Sequence, residues 1–174
     1  MTLHTDFEDL VRAYQQPLTG YLCNLLGDDE QGKELAQETF LRAYCALTRG
    51  LEVEHPKAWL YRIATNVAND HFRRARLVKW FPIHQVKNEP ALCAPDSTDC
   101  IADQLLVRSA LAQLSLDYRI PLVLHLCEGL STVEIAEVLN IKQGAVKMRL
   151  SRAREQFRRA LQEEDGTPAE AKGT

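Results

Sequence analysis

The first chemistry the sequence offers lies between positions 142 and 159. Lys142, Lys147, Arg149, Arg152, Arg154, Arg158 and Arg159 stand there against a single acid, Glu155. Val146, Leu150, Ala153, Phe157 and Leu161 run through the same stretch at a 4-3-4-4 spacing, which is one helical stripe. Rotation by about 100° per residue turns Met148, Ser151, Arg152 and Glu155 away from that stripe, with Lys147 and Arg149 on its flanks. A helix apolar on one side and cationic on the rest suits a DNA major groove: phosphates attract the flanking cations, and base edges are read from the centre of the face. A basic amphipathic helix alone is as easily a solvated one. What precedes it here favours the groove. Ser131 followed by Glu134 is a capping box. Ile135, Ala136 and Leu139 then form a short apolar face, and Asn140 is a fitting helix end. Gly129–Leu161 reads as a helix-turn-helix.

A second candidate surface lies in KAWLYRIATNVANDHFRRAR. Leu60, Ile63, Ala64 and Val67 give its buried side. Tyr61, Arg62, Thr65, Asn69, Phe72, Arg73 and Arg76 turn away from it, with Trp59 and Asn66 at the margin. Aromatic faces, amides and arginines together are what unstacked bases need, and base–aromatic stacking is worth about 1–3 kcal/mol per base. The plainer alternative packs Trp59 or Phe72 against neighbouring helices.

A third candidate is acidic. In DDEQGKELAQETFLRAYCAL the buried side is Ala36, Phe40, Ala43 and Leu47. The opposite face presents Glu34, Glu38, Leu41 and Cys45, with Gln37 and Glu30 nearby. Acids around an exposed leucine suit docking to a protein, and on pattern alone a solvated face fits equally well.

These surfaces require positioning helices. The first runs from a cap at Asp6 through Phe7, Leu10, Val11, Tyr14, Leu18, Tyr21, Leu22 and Leu25 to Gly27, with a kink or interruption expected at Pro17. Asp28 and Asp29 open the acidic helix at its positive end. Helical period is lost from Leu77 to about Asp99, where Pro82, Pro90 and Pro95 mark a linker. IADQLLVRSALAQL and YRIPLVLHLCEG then supply two supporting helices, with Pro121 placed in the first turn of the latter. QEEDGTPAEAKGT has nothing to bury and reads as a disordered tail.

The bulk numbers agree with this division. The 174 residues suffice for two small helical domains, and a formal net charge of -3 excludes a uniformly basic nucleic-acid binder. No apolar run reaches the length of a membrane span, and the opening MTLHTDFEDL is acidic rather than signal-like, so a cytoplasmic chain without membrane insertion is expected. The five cysteines form no CxxC and read as reduced thiols, Cys23 and Cys127 as core residues. Cys93 and Cys100 with His84 leave a metal or redox grouping open, although their spacing matches no compact zinc pattern.

Three strings, ELAQETFLRAY, AWLYRIATNVANDHFRR and EGLSTVEIAEVLNIKQGAVKMRLSRAREQFRRAL, occur in this order, and with them the chain resembles bacterial sigma factors of the sigma-70 family. The resemblance is to the small extracytoplasmic-function group, which keeps two domains. It implies an all-α fold of two small helical domains joined by a flexible linker, the C-terminal one a helix-turn-helix. Residues 1–76 would be region 2, 77–100 the linker, 101–162 region 4 and 163–174 the tail. It also implies core RNA polymerase, promoter DNA and an anti-sigma factor as partners, with no cofactor and no catalysis. Glu34, Gln37, Glu38 and Leu41 would dock on the polymerase. Trp59, Tyr61, Arg62, Thr65, Asn66, Asn69, Arg73 and Arg76 would melt and read the −10 element. Lys147, Met148, Arg149, Ser151 and Arg152 would meet the −35 element. Met148 and Ser151 depart from side chains common at the reading positions, so the preferred promoter sequence does not transfer. Lys142 and Gln143 are poor caps for the recognition helix.

Two rivals stay in view. A stand-alone helix-turn-helix regulator would need a ligand or dimerisation domain in the N-terminal half, where the sequence has the aromatic–arginine face instead. An RNA-binding or nuclease-type enzyme would need paired carboxylates or metal ligands on one face, and neither a Walker loop nor such a pair is present in the sequence.

Overall fold

A computed structural model describes the backbone of residues 3–80 and 98–164, and the side chains of residues 7–76 and 103–163. Every element among the described residues is helical. In chain order they are α1 (Leu3–Leu26), α2 (Asp29–Thr48), α3 (Pro56–Trp80), α4 (Thr98–Gln113), α5 (Leu116–Leu126), α6 (Thr132–Leu139) and α7 (Gln143–Glu164).

The punctuation is local chemistry. Gly27 takes φ +75, a left-handed conformation that lets its N–H bond back to Cys23 O at 2.8 Å and ends α1. Asp28 then caps α2, its carboxylate accepting from the Gln31 amide at 3.0 Å. Ser131 and Glu134 form the expected capping box on α6, and Asn140 closes that helix at φ 52. Gln143 opens α7 without a good cap before it, and its side chain instead donates to Thr132 Oγ1 at 2.8 Å. The two helices of the motif are thereby joined at their starts.

The capping box yields a stability prediction. Glu134 sits below its usual carboxylate range because it accepts the Ser131 amide and hydroxyl. A carboxylate whose pKa is depressed on folding adds stability above its unfolded pKa and loses it as pH falls through the folded value. Ser131→Ala is expected to lower the unfolding free energy by about 1 kcal/mol at neutral pH. Urea titrations below pH ~4 should find that gap narrowed.

Several sequence expectations are corrected. Helix α1 begins at Leu3, upstream of Asp6, so Asp6 lies inside the helix and does not cap it. It also continues past Pro17, which is exposed; the carbonyl orphaned one turn earlier therefore has water to bond. Pro121 stands in the middle of α5, because that helix opens at Leu116 behind Ser115. Cys127 is the exposed C-cap of α5 and not a core residue, whereas Cys23 is buried. Helix α3 extends to Trp80 and α4 starts at Thr98. The remainder of the expected linker, with Cys93 and His84, lies outside the described residues, as do the Cys100 side chain and residues 165–174 of the expected tail.

One apolar core runs through both halves. Leu18, Tyr21, Leu22 and Leu25 of α1 meet Leu60, Tyr61, Ala64 and Val67 of α3, and the same cluster continues through Ile120 and Leu122 of α5, Ile135 of α6 and Leu150 of α7. Gly32 permits the close crossing of α1 and α2: a Cβ there would lie 2.5 Å from Cys23 Sγ and 2.8 Å from its backbone.

Candidate nucleic-acid and docking surfaces

On α7 the apolar stripe faces inward as expected, with Val146, Leu150 and Ala153 buried and Phe157 and Leu161 half-buried. Lys147, Met148, Ser151 and Arg152 are exposed on the opposite side. Arg149 is the exception, half-buried and ion-paired with Asp117 of α5 at 3.1 Å. Lys147 and Ser151 also line a cleft of about 430 Å³ with Arg154, Arg158 and His125. His125, whose Nδ1 meets Leu130 O at 2.9 Å, was missed by the sequence reading because it belongs to α5.

On α3 the exposed face is narrower than the sequence suggested. Arg62, Asn66, Asn69, Arg73 and Arg76 are exposed and share an arc of about 80° when placed at 100° per residue. Tyr61 and Thr65, expected to face outward with them, are buried at 1% and 2% exposure. Thr65 Oγ1 lies 2.9 Å from the Tyr21 hydroxyl, and the two tyrosine rings pack edge to face at 5.4 Å. The Tyr61 hydroxyl donates to the Glu128 carboxylate beyond α5. Burial drives both tyrosine hydroxyls far above their ordinary pKa, and it also raises that of Glu128 against the opposing pull of Tyr61 and Lys57. Trp59 and Phe72 are both partly buried against the core, and the Phe72 ring lies 6.0 Å from the Arg119 guanidinium. The reason is a second neighbour: α3 packs on α1 and α2 within its own half and on α6 from the other, so two flanks are covered instead of one.

The strip is also tethered. Arg62 Nε and Nη2 donate to Glu137 O at 3.1 and 2.6 Å, near the end of α6 where helix carbonyls lack partners. Arg73 pairs with Asp70 at 2.9 Å.

On α2, Glu34, Gln37 and Leu41 are exposed, Leu41 at 62%. Glu38 is half-buried and held by Arg42 at 2.6 Å, and Arg42 reaches Asp70 of α3 at 3.6 Å. Gln37 and Leu41 border an open groove of about 1290 Å³ between α1 and α2, lined also by Phe7, Val11, Phe40 and Tyr44. An apolar floor with a polar rim is the form of a protein-docking groove.

Among the described residues no group of three or more His, Cys, Asp or Glu side chains is placed to hold a metal ion. No described helix is long and apolar enough to cross a membrane.

Comparison with known proteins places both halves of the chain in one family. Residues 10–78 match the family described as Sigma-70 region 2, and residues 104–157 the one described as Sigma-70, region 4. A chain carrying both belongs to the sigma-70 family. The chain is 35% identical over 144 residues to the ECF RNA polymerase sigma factor SigL of Mycobacterium tuberculosis, covering 82% of this chain and 81% of that protein. To the ECF RNA polymerase sigma factor SigW of Bacillus subtilis it is 30% identical over 170 residues, covering 90% and 89%. Within the family, the protein is a member of the extracytoplasmic-function (ECF) group. Its fold resembles that of the sigma factor RpoE from Bartonella quintana in complex with the anti-sigma factor NepR, with a TM-score of 0.71, 25% identity, and coverage of 90% of this chain and 97% of that one. It also resembles CnrH in complex with the cytosolic domain of CnrY, with a TM-score of 0.67, 26% identity, and coverage of 92% and 90%.

Proposed function

We propose that this chain directs promoter-specific initiation by carrying two nucleic-acid grips to core RNA polymerase, one for paired and one for parted strands. The observation that carries the reading is the presence, on one chain, of the exposed amide–arginine strip of α3 and the cationic outer face of α7. Lys147, Met148, Ser151 and Arg152 meet the −35 duplex, and Arg149 joins them on release from Asp117. Arg62, Asn66, Asn69, Arg73 and Arg76 engage the parted −10 strand, with Trp59 at the edge of the strip. Tyr61 and Thr65 support that strip from beneath and do not touch bases.

Strand separation then draws on binding free energy, since each captured base offsets lost stacking. The chain needs no catalytic residue for this and works in the cytoplasm, where polymerase and promoter are. Residues 1–76 act as the polymerase-docking and melting half and 101–162 as the −35-binding half. The partners of RpoE and CnrH make an anti-sigma protein a fitting regulator here as well.

Glu34, Gln37 and Leu41 dock on the polymerase, with Glu38 held in place by Arg42. Leu41→Ala is expected to weaken core-polymerase affinity about 10-fold, or about 1.4 kcal/mol, without changing the unfolding transition. Fluorescence anisotropy with labelled chain reads this directly, and unchanged affinity removes Leu41 from the docking surface. The overall reading is tested by run-off transcription over a promoter library with purified core polymerase. Promoter-specific transcripts should appear only when the chain is added. Duplex binding without any transcript would favour the stand-alone regulator.

A further inference from the structure

The cleft beside the −35 reading face carries more positive charge than base reading requires. Lys147, Ser151, Arg154 and Arg158 fall within about 60° of arc on α7, alongside the arc that holds Met148 and Arg152. Lys147, Arg154 and Arg158 are exposed, whereas Arg149 and Arg159 of the same helix are held by Asp117 and Glu155. Glu155 is the one acid lining the cleft among the described residues, and Arg159 neutralises it at 2.5 Å. Three like charges along one strip repel one another, and an anion seated among them relieves that repulsion.

His125 joins these groups from α5, and its ring has a fixed polarity. Nδ1 lies 2.9 Å from Leu130 O; a carbonyl only accepts, so Nδ1 carries the hydrogen. Nε2 is then the nitrogen left for a ligand. In the neutral ring Nε2 is itself an acceptor and gains nothing from a phosphodiester oxygen. Once protonated, it becomes a charge-assisted donor. The groups facing this ring are Lys147, Arg154, Arg158 and Glu155 from α7 and Thr132 from α6. Helix α1 also packs on α5 but puts no charged side chain in the cleft among the described residues. The carboxylate of Glu128, three residues beyond His125, is engaged by Tyr61 instead.

We propose that this cleft clamps one backbone phosphate at the edge of the −35 element. Arg154 and Arg158 are its standing cations. His125 is a donor that takes up a proton as the phosphate seats, so the −35 grip tightens as pH falls. The inference rests on the sigma-factor reading above. Such a clamp carries no sequence information and fixes the register of the base-reading residues. A group that holds its proton more firmly in the complex adds affinity at low pH, and that affinity is lost as pH rises. Imidazoles change charge between about pH 5 and 8, where neither phosphodiesters nor DNA bases titrate.

The test uses holoenzyme formed from core polymerase and the full-length chain. The probe is a labelled duplex that carries the −35 element and stops short of −10, so that no strand opens. At constant ionic strength, affinity read by fluorescence anisotropy should fall about 5- to 10-fold from about pH 6 to about pH 8. His125→Gln should bind weakly and evenly across this range, and His125→Arg should keep the tight low-pH value throughout. A methylphosphonate scan, which removes one backbone charge at a time, should find a single position that abolishes the pH dependence. A flat wild-type profile, an unchanged profile in both His125 variants, or pH dependence that survives every methylphosphonate overturns the proposal. If the wild-type holoenzyme does not distinguish fragments with and without the −35 element at any pH, the sigma-factor reading itself falls.

Discussion

Arg119→Ala should destabilise the protein by about 3–4 kcal/mol, the largest stability loss expected of any single substitution considered. Arg119 is 9% exposed, and its guanidinium donates to Ala112 O at 2.6 Å, Leu114 O at 2.9 Å and Leu25 O at 3.1 Å. These are carbonyls at the ends of α4 and α1, where the helix leaves acceptors without donors and the macrodipole is negative. A hydrogen bond to a charged group contributes about 1.5–3 kcal/mol, and rehydration of the freed carbonyls returns part of that. Nε has no partner, so the contribution comes from the terminal nitrogens and the contact with Phe72. Lysine should recover only a minor part, because one ammonium does not span three carbonyls as a planar fork does. Urea denaturation measures the change; a loss under 1 kcal/mol would mean that water replaces the guanidinium at little cost.

Arg152→Ala should collapse sequence discrimination at the −35 element while leaving stability unchanged. Arg152 is exposed on the outer face of α7, beside Met148 and Ser151. A bidentate arginine–base contact carries about 1–3 kcal/mol of discrimination against the wrong base. Affinity for the preferred duplex should therefore fall roughly 5- to 150-fold, and affinity for mismatched duplexes far less. A uniform loss on all sequences, with a shallower salt dependence, would make Arg152 a phosphate contact instead. Competition binding across single-base variants of the −35 element separates the two outcomes.

What the sequence disclosed depended on how near each residue's partner lies along the chain. The capping box of Ser131 and Glu134, the left-handed Asn140 and the inward stripe of α7 are all local, and all are present as expected. The face of α3 was only half legible. Periodicity marks one apolar stripe, but Tyr61 and Thr65 are covered by groups 67 and 44 positions away, Glu128 and Tyr21. Asp29 looked like a first-turn acid suited to the helix dipole, and it is that, but its buried bond is to Arg108 on α4. Arg119 gave no signal because a guanidinium that serves backbone carbonyls has no side-chain partner for a pattern to reveal. On α2 the i, i+4 pairing of Glu38 with Arg42 was readable and overlooked. It removes Glu38 from the freely exposed acids and leaves Glu34, Gln37 and Leu41 as the exposed members of the proposed docking set.

The division of labour between α3 and α7 is tested most directly by placing 2-aminopurine in the −10 element of a duplex promoter that the chain transcribes. Fluorescence should rise when core polymerase and the chain are added together, and stay low with either alone. Substituting Asn66 and Asn69 with alanine should suppress the rise while −35 protection persists. Full −35 protection without any fluorescence change from the unmodified holoenzyme would contradict the account, leaving a duplex binder with no grip on parted strands.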